Sequence, residues 1–377
     1  MFNTPLNTFK TFFFVSLAIL FFGDVMVFSA AQVVGLNSGG GSFAISWKQI
    51  LVSIACLPFA WVIAQIPLEN LKKIASVSVF FALGFMALLI PFGREVNGNT
   101  NWIDIGPIDF QPSEVAKVLL ILWSAFIIEK FSKDPVRIFY TLSIGFGAIL
   151  ILVLLGGDLG SAVVIGLILA TLIYLTGADS KYLAFIFASG VGGVALLVMM
   201  QPYRIARFTA FVHPFADGIY KNAGWQPAHS LMALGSGGLF GAGIGSSKQK
   251  WGNLAEAHTD FIFGVIGEEF GLLGTLSTII AISLLVICII KISLSAKDLF
   301  SRYLGLGIAF WIGFQSLINL ASATSLIPVV GVTLPFISYG GSSLLALGGA
   351  LGFVAGIALR NPQVSKEINV RWPKGAK

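Results

Sequence analysis

The chain has 377 residues, of which 56% are hydrophobic and 11% charged, with a mean hydropathy of +0.90. Soluble domains carry about 25% charged residues, so this composition excludes a soluble domain with one anchor and points to an all-α, polytopic membrane protein. The net charge of +6 comes without a basic cluster interleaved with aromatics, which argues for a topology signal and against a nucleic-acid footprint.

In chain order, hydropathy predicts ten transmembrane helices, at 11–33, 48–67, 71–93, 112–130, 138–156, 159–177, 182–201, 260–290, 303–324 and 337–359, each near the length of about 20 residues that crosses a bilayer. The first run follows Lys10 and reaches Ser29-Ala30-Ala31, a faint cleavage signal. Its length, and the apolar character of the rest of the chain, favour an uncleaved span. The 43 glycines suit helices that pack in lipid through small residues. Cys56 and Cys288 lie in apolar runs and read as small buried hydrophobes. The three histidines are scattered, without a zinc spacing. No separate soluble domain stands out, so residues 1–377 read as a single integral membrane domain.

An even number of spans puts both termini on one side. That side holds the larger share of the 23 basic residues, among them Lys72, Lys73, Lys130, Arg137, Lys181, Lys291, Arg302, Arg360, Lys366, Arg371, Lys374 and Lys377. By the positive-inside rule both termini are cytoplasmic. The 94–111 loop, the 157–158 turn, the loop at about 202–259 between spans 7 and 8 and the 325–336 loop then face outward. An enzyme working there has no ATP or nucleotide-sugar pool and needs a substrate that arrives activated. The 202–259 loop is long enough to carry function, and its 235–245 segment reads as flexible, partly membrane-seated glycine backbone with two apolar anchors, Leu239 and Phe240.

Charged residues at the edges of apolar runs ask for a reason. Glu256 and Asp260, in Glu256-Ala257-His258-Thr259-Asp260, share a helix face if span 8 begins there. Two carboxylates in a dry mouth raise each other's pKa and suit a general base; capping the helix start is the competing role. Glu114 and Lys117, at i, i+3 after Pro112, form either a structural ion pair or a counter-charge to an outer carboxylate or phosphate. Asp158 reads first as a helix cap. Asp24 lies deep in the first span, and at least one of the adjacent Glu268 and Glu269 reads as structural. Arg204 and Arg207 suit a lipid diphosphate, or they snorkel to ordinary headgroups. Trp102 is an interface anchor or a sugar-stacking ring. These residues support an outward-facing enzyme acting on a lipid-linked anion, and a transporter almost as well.

Four segments in order resemble the SEDS family (shape, elongation, division and sporulation), which contains FtsW and RodA. They are Val96-Asn97-Gly98-Asn99-Thr100-Asn101-Trp102-Ile103 with Gln111-Pro112-Ser113-Glu114-Val115-Ala116-Lys117; Asp158-Leu159-Gly160-Ser161-Ala162; Leu234-Gly235-Ser236-Gly237-Gly238-Leu239-Phe240-Gly241 with Glu256-Ala257-His258-Thr259-Asp260-Phe261-Ile262-Phe263; and Leu334-Pro335-Phe336-Ile337-Ser338-Tyr339-Gly340-Gly341-Ser342-Ser343. The resemblance implies a ten-helix peptidoglycan glycosyltransferase of the bacterial cytoplasmic membrane. It polymerises lipid II on the outer face, releases undecaprenyl diphosphate and pairs with a class B penicillin-binding protein within a division or elongation complex. It implies a catalytic Asp260, a loop tryptophan at Trp102 and the Glu114–Lys117 pair; beside it, Glu256 and His258 read as supporting residues and Arg204, Arg207 and Lys117 as charges for the diphosphate. No cofactor is required by these residues; a divalent cation, Mg or Mn, would serve the leaving group, with no ligand set visible. Val96-Asn97-Gly98, Lys248-Gln249-Lys250 and Thr333-Leu334-Pro335 favour the FtsW type over RodA, and a lipid II flippase is the alternative of another class. Departures are Asn101, where the family usually has arginine, Gly156-Gly157 in place of Gln-Pro, and Asp24 in place of an apolar residue.

Overall fold

A computed structural model describes residues 4–32, 41, 43–96, 99–106, 108–199 and 202–368. Asn97 and Gly98 of the first motif, the ends of two predicted spans and the basic residues Arg371, Lys374 and Lys377 lie outside them. The helices are α1 (Pro5–Ala30), α2 (Ala44–Ala64), α3 (Leu68–Ala87), the short α4 (Leu89–Phe92), α5 (Pro112–Lys130), α6 (Pro135–Leu155), α7 (Leu159–Leu175), α8 (Ser180–Met199), α9 (Pro202–Val212), α10 (Trp225–Ser236), α11 (Ile262–Leu294), α12 (Leu299–Ala323), α13 (Gly341–Leu359) and α14 (Pro362–Ile368).

Every predicted span falls on a helix. Among the described residues seven helices are long and apolar enough to cross a membrane: α1, α2, α3 with α4, α6, α11, α12 and α13. Helices α7 and α8 are apolar but shorter. Helix α5 carries Glu114, Lys117, Glu129 and Lys130 within its 19 residues. Lys72 at the start of α3 meets Glu129 at the end of α5, so these two helices run antiparallel and the bundle has two ends. One end gathers the contacts of the basic loops: Lys72 pairs with Glu129 at 2.7 Å, and the Arg360 guanidinium donates to the Ile66 carbonyl at 2.8 Å.

Small residues set the closest approaches. Gly348, Gly352 and Gly356 of α13 lie against Cys56, Ala60 and Ala64 of α2, and a methyl added at Gly352 would stand 2.6 Å from the Ala60 carbonyl oxygen. Both faces repeat a small residue every four positions, which lets two backbones pack without large side chains between them. The Cys56 thiol donates to the Leu344 carbonyl across this seam at 3.3 Å. Asp24 of α1 accepts from Ser53 Oγ of α2 at 2.7 Å.

Three expectations change. The 94–111 loop folds as an antiparallel sheet, β1 (Arg94–Val96), β2 (Asn99–Ile105) and β3 (Ile108–Phe110), in the order β1-β2-β3. Strands of three residues are too short to show a period-2 pattern. The long 202–259 loop contains α9 and α10. Its glycine-rich stretch is closely packed: Gly241, at φ 80°, lies against the Glu269 backbone, where an added Cβ would collide with the carbonyl. The third change concerns the start of span 8. Helix α11 begins at Ile262 with no side-chain cap, and Gly271, at φ 66° and ψ −157°, breaks it into two segments.

Gly352→Leu should wedge α2 from α13 and lower the thermal unfolding midpoint of the purified protein by several degrees. Gly192→Ala in α8, where nothing lies within 4 Å of an added methyl, should not lower that midpoint.

Candidate active site

At the end of the bundle opposite Lys72 and Arg360, a cleft of about 650 Å³ is lined by β2, the first turns of α2, α5, α7 and α13, part of α9, the 256–260 segment and the 328–333 loop. Its volume matches that of sites that hold organic ligands. Asp260 is half-buried at its wall, together with Glu256, His258 and Thr259.

Glu256 and Asp260 do not share a helix face. The segment turns back on itself, with Glu256 at φ 55°, and its carbonyl accepts from the Thr259 and Phe261 amides at 3.2 Å each. The capping role for Asp260 falls with it, because α11 has no side-chain cap. Two other parts of the chain hold the turn in place. The Asn319 carboxamide of α12 donates to the Asp260 carbonyl at 2.8 Å and to the Val332 carbonyl at 2.6 Å. From the loop before α13, Ser338 Oγ donates to the Thr259 carbonyl at 2.6 Å and the Tyr339 amide to the His258 carbonyl at 2.9 Å.

The Asp260 carboxyl is pushed up to about 7, first by its removal from water, then by the negative charges of Glu256 and Asp158, against the pull of Arg207. It therefore changes protonation near neutral pH, as a general base does. Burial holds the His258 imidazole below its ordinary value, opposed by Glu256. His258 packs against Tyr339 with ring centroids 5.6 Å apart, and its Nδ1 has no partner among the described residues. Glu256 accepts from Thr259 Oγ1 at 2.8 Å.

The Glu114–Lys117 pair forms, at 2.8 Å, with both side chains buried. The Lys117 ammonium also donates to Gln315 Oε1 at 2.7 Å and lies over the Trp311 ring, while Ser343 donates to Glu114 at 3.2 Å. Glu114 borders the cleft and Lys117 sits behind it, so the lysine charge meets the cleft through its partner. Asp158 caps α7, accepting from the Ser161 amide at 2.9 Å, and also accepts from Gln111 at 3.1 Å. Trp102 faces the cleft from β2. Arg207 of α9 lines the cleft and its guanidinium reaches the Val329 carbonyl at 3.4 Å. Arg204 lies one turn earlier on α9, and its side chain is outside the described residues.

Several residues of the site carry no signal in sequence. Gly331, at φ 71°, is one: a Cβ there would lie 3.5 Å from Asp260 Oδ2. Its bare backbone keeps the space beside the carboxylate open. Asn319 and Gln315 look like ordinary polar residues of an amphipathic helix. Lys48, at the first turn of α2, adds an exposed cation to the cleft. No group of three or more His, Cys, Asp or Glu side chains able to hold a metal occurs among the described residues, so an all-protein cation cage does not fit here.

Removing the Glu256 charge favours the Asp260 carboxylate, so Glu256→Gln should move the Asp260 titration midpoint to lower pH. Arg207→Ala should move it to higher pH. Isotope-edited infrared spectroscopy of the carboxyl band across pH reads both shifts.

A family of cell cycle proteins represented by FtsW, RodA and SpoVE matches residues 9–363. The probable peptidoglycan glycosyltransferase FtsW of Haemophilus ducreyi is 36% identical over 375 residues, covering 95% of this chain and 92% of that protein. Its counterpart in Hahella chejuensis is 38% identical over 342 residues, covering 88% and 85%. The crystal structure of the rod shape determining protein RodA of Thermus thermophilus aligns with a TM-score of 0.69 at 27% identity, covering 93% of this chain and 97% of that one. A chain from a structure of a peptidoglycan synthase complex that coordinates polymerization and crosslinking aligns with a TM-score of 0.73 at 26% identity, covering 93% and 98%. With the match running over nearly its whole length, the chain belongs to the FtsW, RodA and SpoVE family of cell cycle proteins.

Proposed function

We propose that the chain is a division-type peptidoglycan glycosyltransferase that polymerises lipid II on the outer face of the bacterial inner membrane, with Asp260 as general base. The observation that carries the assignment of the base is a half-buried carboxyl at the wall of the cleft, raised to about 7 by burial and by Glu256. The FtsW relatives support the reaction and the division type. In this reading ten helices, the shorter α7 and α8 and the more charged α5 included, span the bilayer as one domain, both termini are cytoplasmic, and the cleft opens outward. The basic residues at the opposite end of the bundle support that orientation. The family likeness to a chain from a peptidoglycan synthase complex supports a penicillin-binding transpeptidase as partner.

Asp260 takes the proton of the 4-hydroxyl of an incoming lipid II sugar. That oxygen attacks the anomeric carbon of the growing strand, the bond to the diphosphate breaks, and the electron pair leaves with undecaprenyl diphosphate. Arg207, with Arg204 and Lys48, supplies positive charge where the leaving group develops negative charge. Trp102 offers a ring to a sugar, and the Glu114–Lys117 pair fixes the wall beside it. A divalent cation carried in by the substrate's own phosphates is compatible with a carboxylate pair, and no step here depends on it.

Asp260→Ala, purified with its partner, should make no glycan polymer from lipid II while remaining folded; normal strands from it would overturn the assignment, and flipping of lipid II without polymer would establish a transporter. In the wild type, turnover should rise with pH through about 7, because the base acts only when deprotonated. Gly331→Ala should cut turnover roughly tenfold or more, through backbone strain of about 1–3 kcal/mol and a methyl placed beside the reacting carboxylate.

A further inference from the structure

Behind the cleft, α11 carries Glu268 and Glu269 in the segment between Asp260 and the break at Gly271. Both are buried, and each has its own partners. Glu268 accepts from Ser247 Oγ at 2.5 Å and from the amides of Lys248 and Gln249 at 2.8 and 3.2 Å. Glu269 pairs with Lys250 at 2.9 Å, with neither side chain exposed. Ser29, near the end of α1, completes the junction: its hydroxyl donates to Glu269 at 2.6 Å and lies 2.8 Å from the Lys250 ammonium, which donates to it.

This junction governs the stretch that leads to the acid cluster. Residues 247–250 are held by the two glutamates. Gln249 is held again by His229 of α10, with Nδ1 and Oε1 2.7 Å apart, and Trp225 donates its indole N–H to the Asn253 carbonyl at 2.6 Å. Glu256 follows three residues later. The break at Gly271 separates this short segment from the rest of α11, so the helix alone does not fix where Asp260 stands. A buried lysine held by one buried glutamate and a hydroxyl of a distant helix is costly to assemble in lipid-surrounded protein. Its cost is matched by what it controls.

Resting on the glycosyltransferase reading above, we propose that Ser29, Lys250 and Glu269 are positioning residues that tie α1 to the segment bearing Glu256 and Asp260 and so set the distance between the base and the reacting sugar. None of the three touches the cleft. A misplacement of about 1 Å costs up to roughly 100-fold in rate, so a small shift of this tether is felt in turnover more than in substrate binding.

Two variants test it: Ser29→Ala, which leaves the ion pair in place, and the paired Lys250→Met with Glu269→Gln, which removes both charges together. Each is purified with the transpeptidase partner and compared with wild type for lipid II polymerisation and for amide hydrogen exchange over 251–261. The expected result is a fall in kcat of about fivefold or more with KM changed less than twofold, together with faster exchange in that segment. Wild-type kcat and exchange in both folded variants would overturn the proposal. So would failure of both to fold, since the junction would then be a stability element. Absence of polymer from the wild type would instead refute the glycosyltransferase reading, and the exchange measurement would still report on the tether.

Discussion

Lipid does not solvate charge, so every ionised group that enters this bundle has to be answered by another group of the chain. The structure meets that constraint in two places by closing the circuit. Lys117 is satisfied by Glu114 and Gln315, and Lys250 by Glu269 and Ser29. Each circuit joins helices that are far apart in sequence, and the first of them carries Glu114, which lines the cleft. The polar groups are therefore not scattered exceptions to an apolar fold. They decide how its layers register.

Asp260 is the group the circuit leaves open. Its backbone is held firmly, by Asn319 and by the loop that carries Ser338 and Tyr339, while its carboxyl faces the cleft near other acids and beside the bare backbone of Gly331. A fixed main chain with a partly dehydrated side chain, for which no hydrogen bond occurs among the described residues, suits a carboxyl that titrates near neutral pH. The neighbouring acids have gone elsewhere: Asp158 caps α7 and Glu256 accepts from Thr259. Three neighbouring carboxylates thus differ in burial, in charge surroundings and in their hydrogen bonds.

The helices were legible because hydropathy summed over about 20 residues is a strong signal. The Glu114–Lys117 pair was legible from its spacing, and Asp158 as a cap from its place before α7. What escaped were features set by only two or three residues or by contacts across the chain. The β1–β2–β3 sheet is one, since Arg94–Val96 and Ile108–Phe110 are too short for a period to show. The turn at 256–260 is another: the acids sit next to an apolar helix in sequence, and only Glu256 at φ 55° reveals that the helix has not yet begun. The glycines of 235–245 suggested looseness, whereas Gly241 is there so that two backbones can touch. Composition reports which residues are small, and the tertiary fold decides whether smallness means freedom or closeness.

The interruption at Gly271 has a mechanical meaning. An unbroken helix of 33 residues would be about 50 Å long, well beyond a hydrocarbon layer of about 30 Å. A rigid rod of that length accommodates a thinner or thicker membrane by tilting, and anything mounted on its end swings through the largest arc. With the rod divided, the longer segment is free to answer hydrophobic mismatch while the short segment next to Asp260 stays lashed to residues 247–250. The cleft beside Asp260 is in this way insulated from the thickness of the surrounding bilayer.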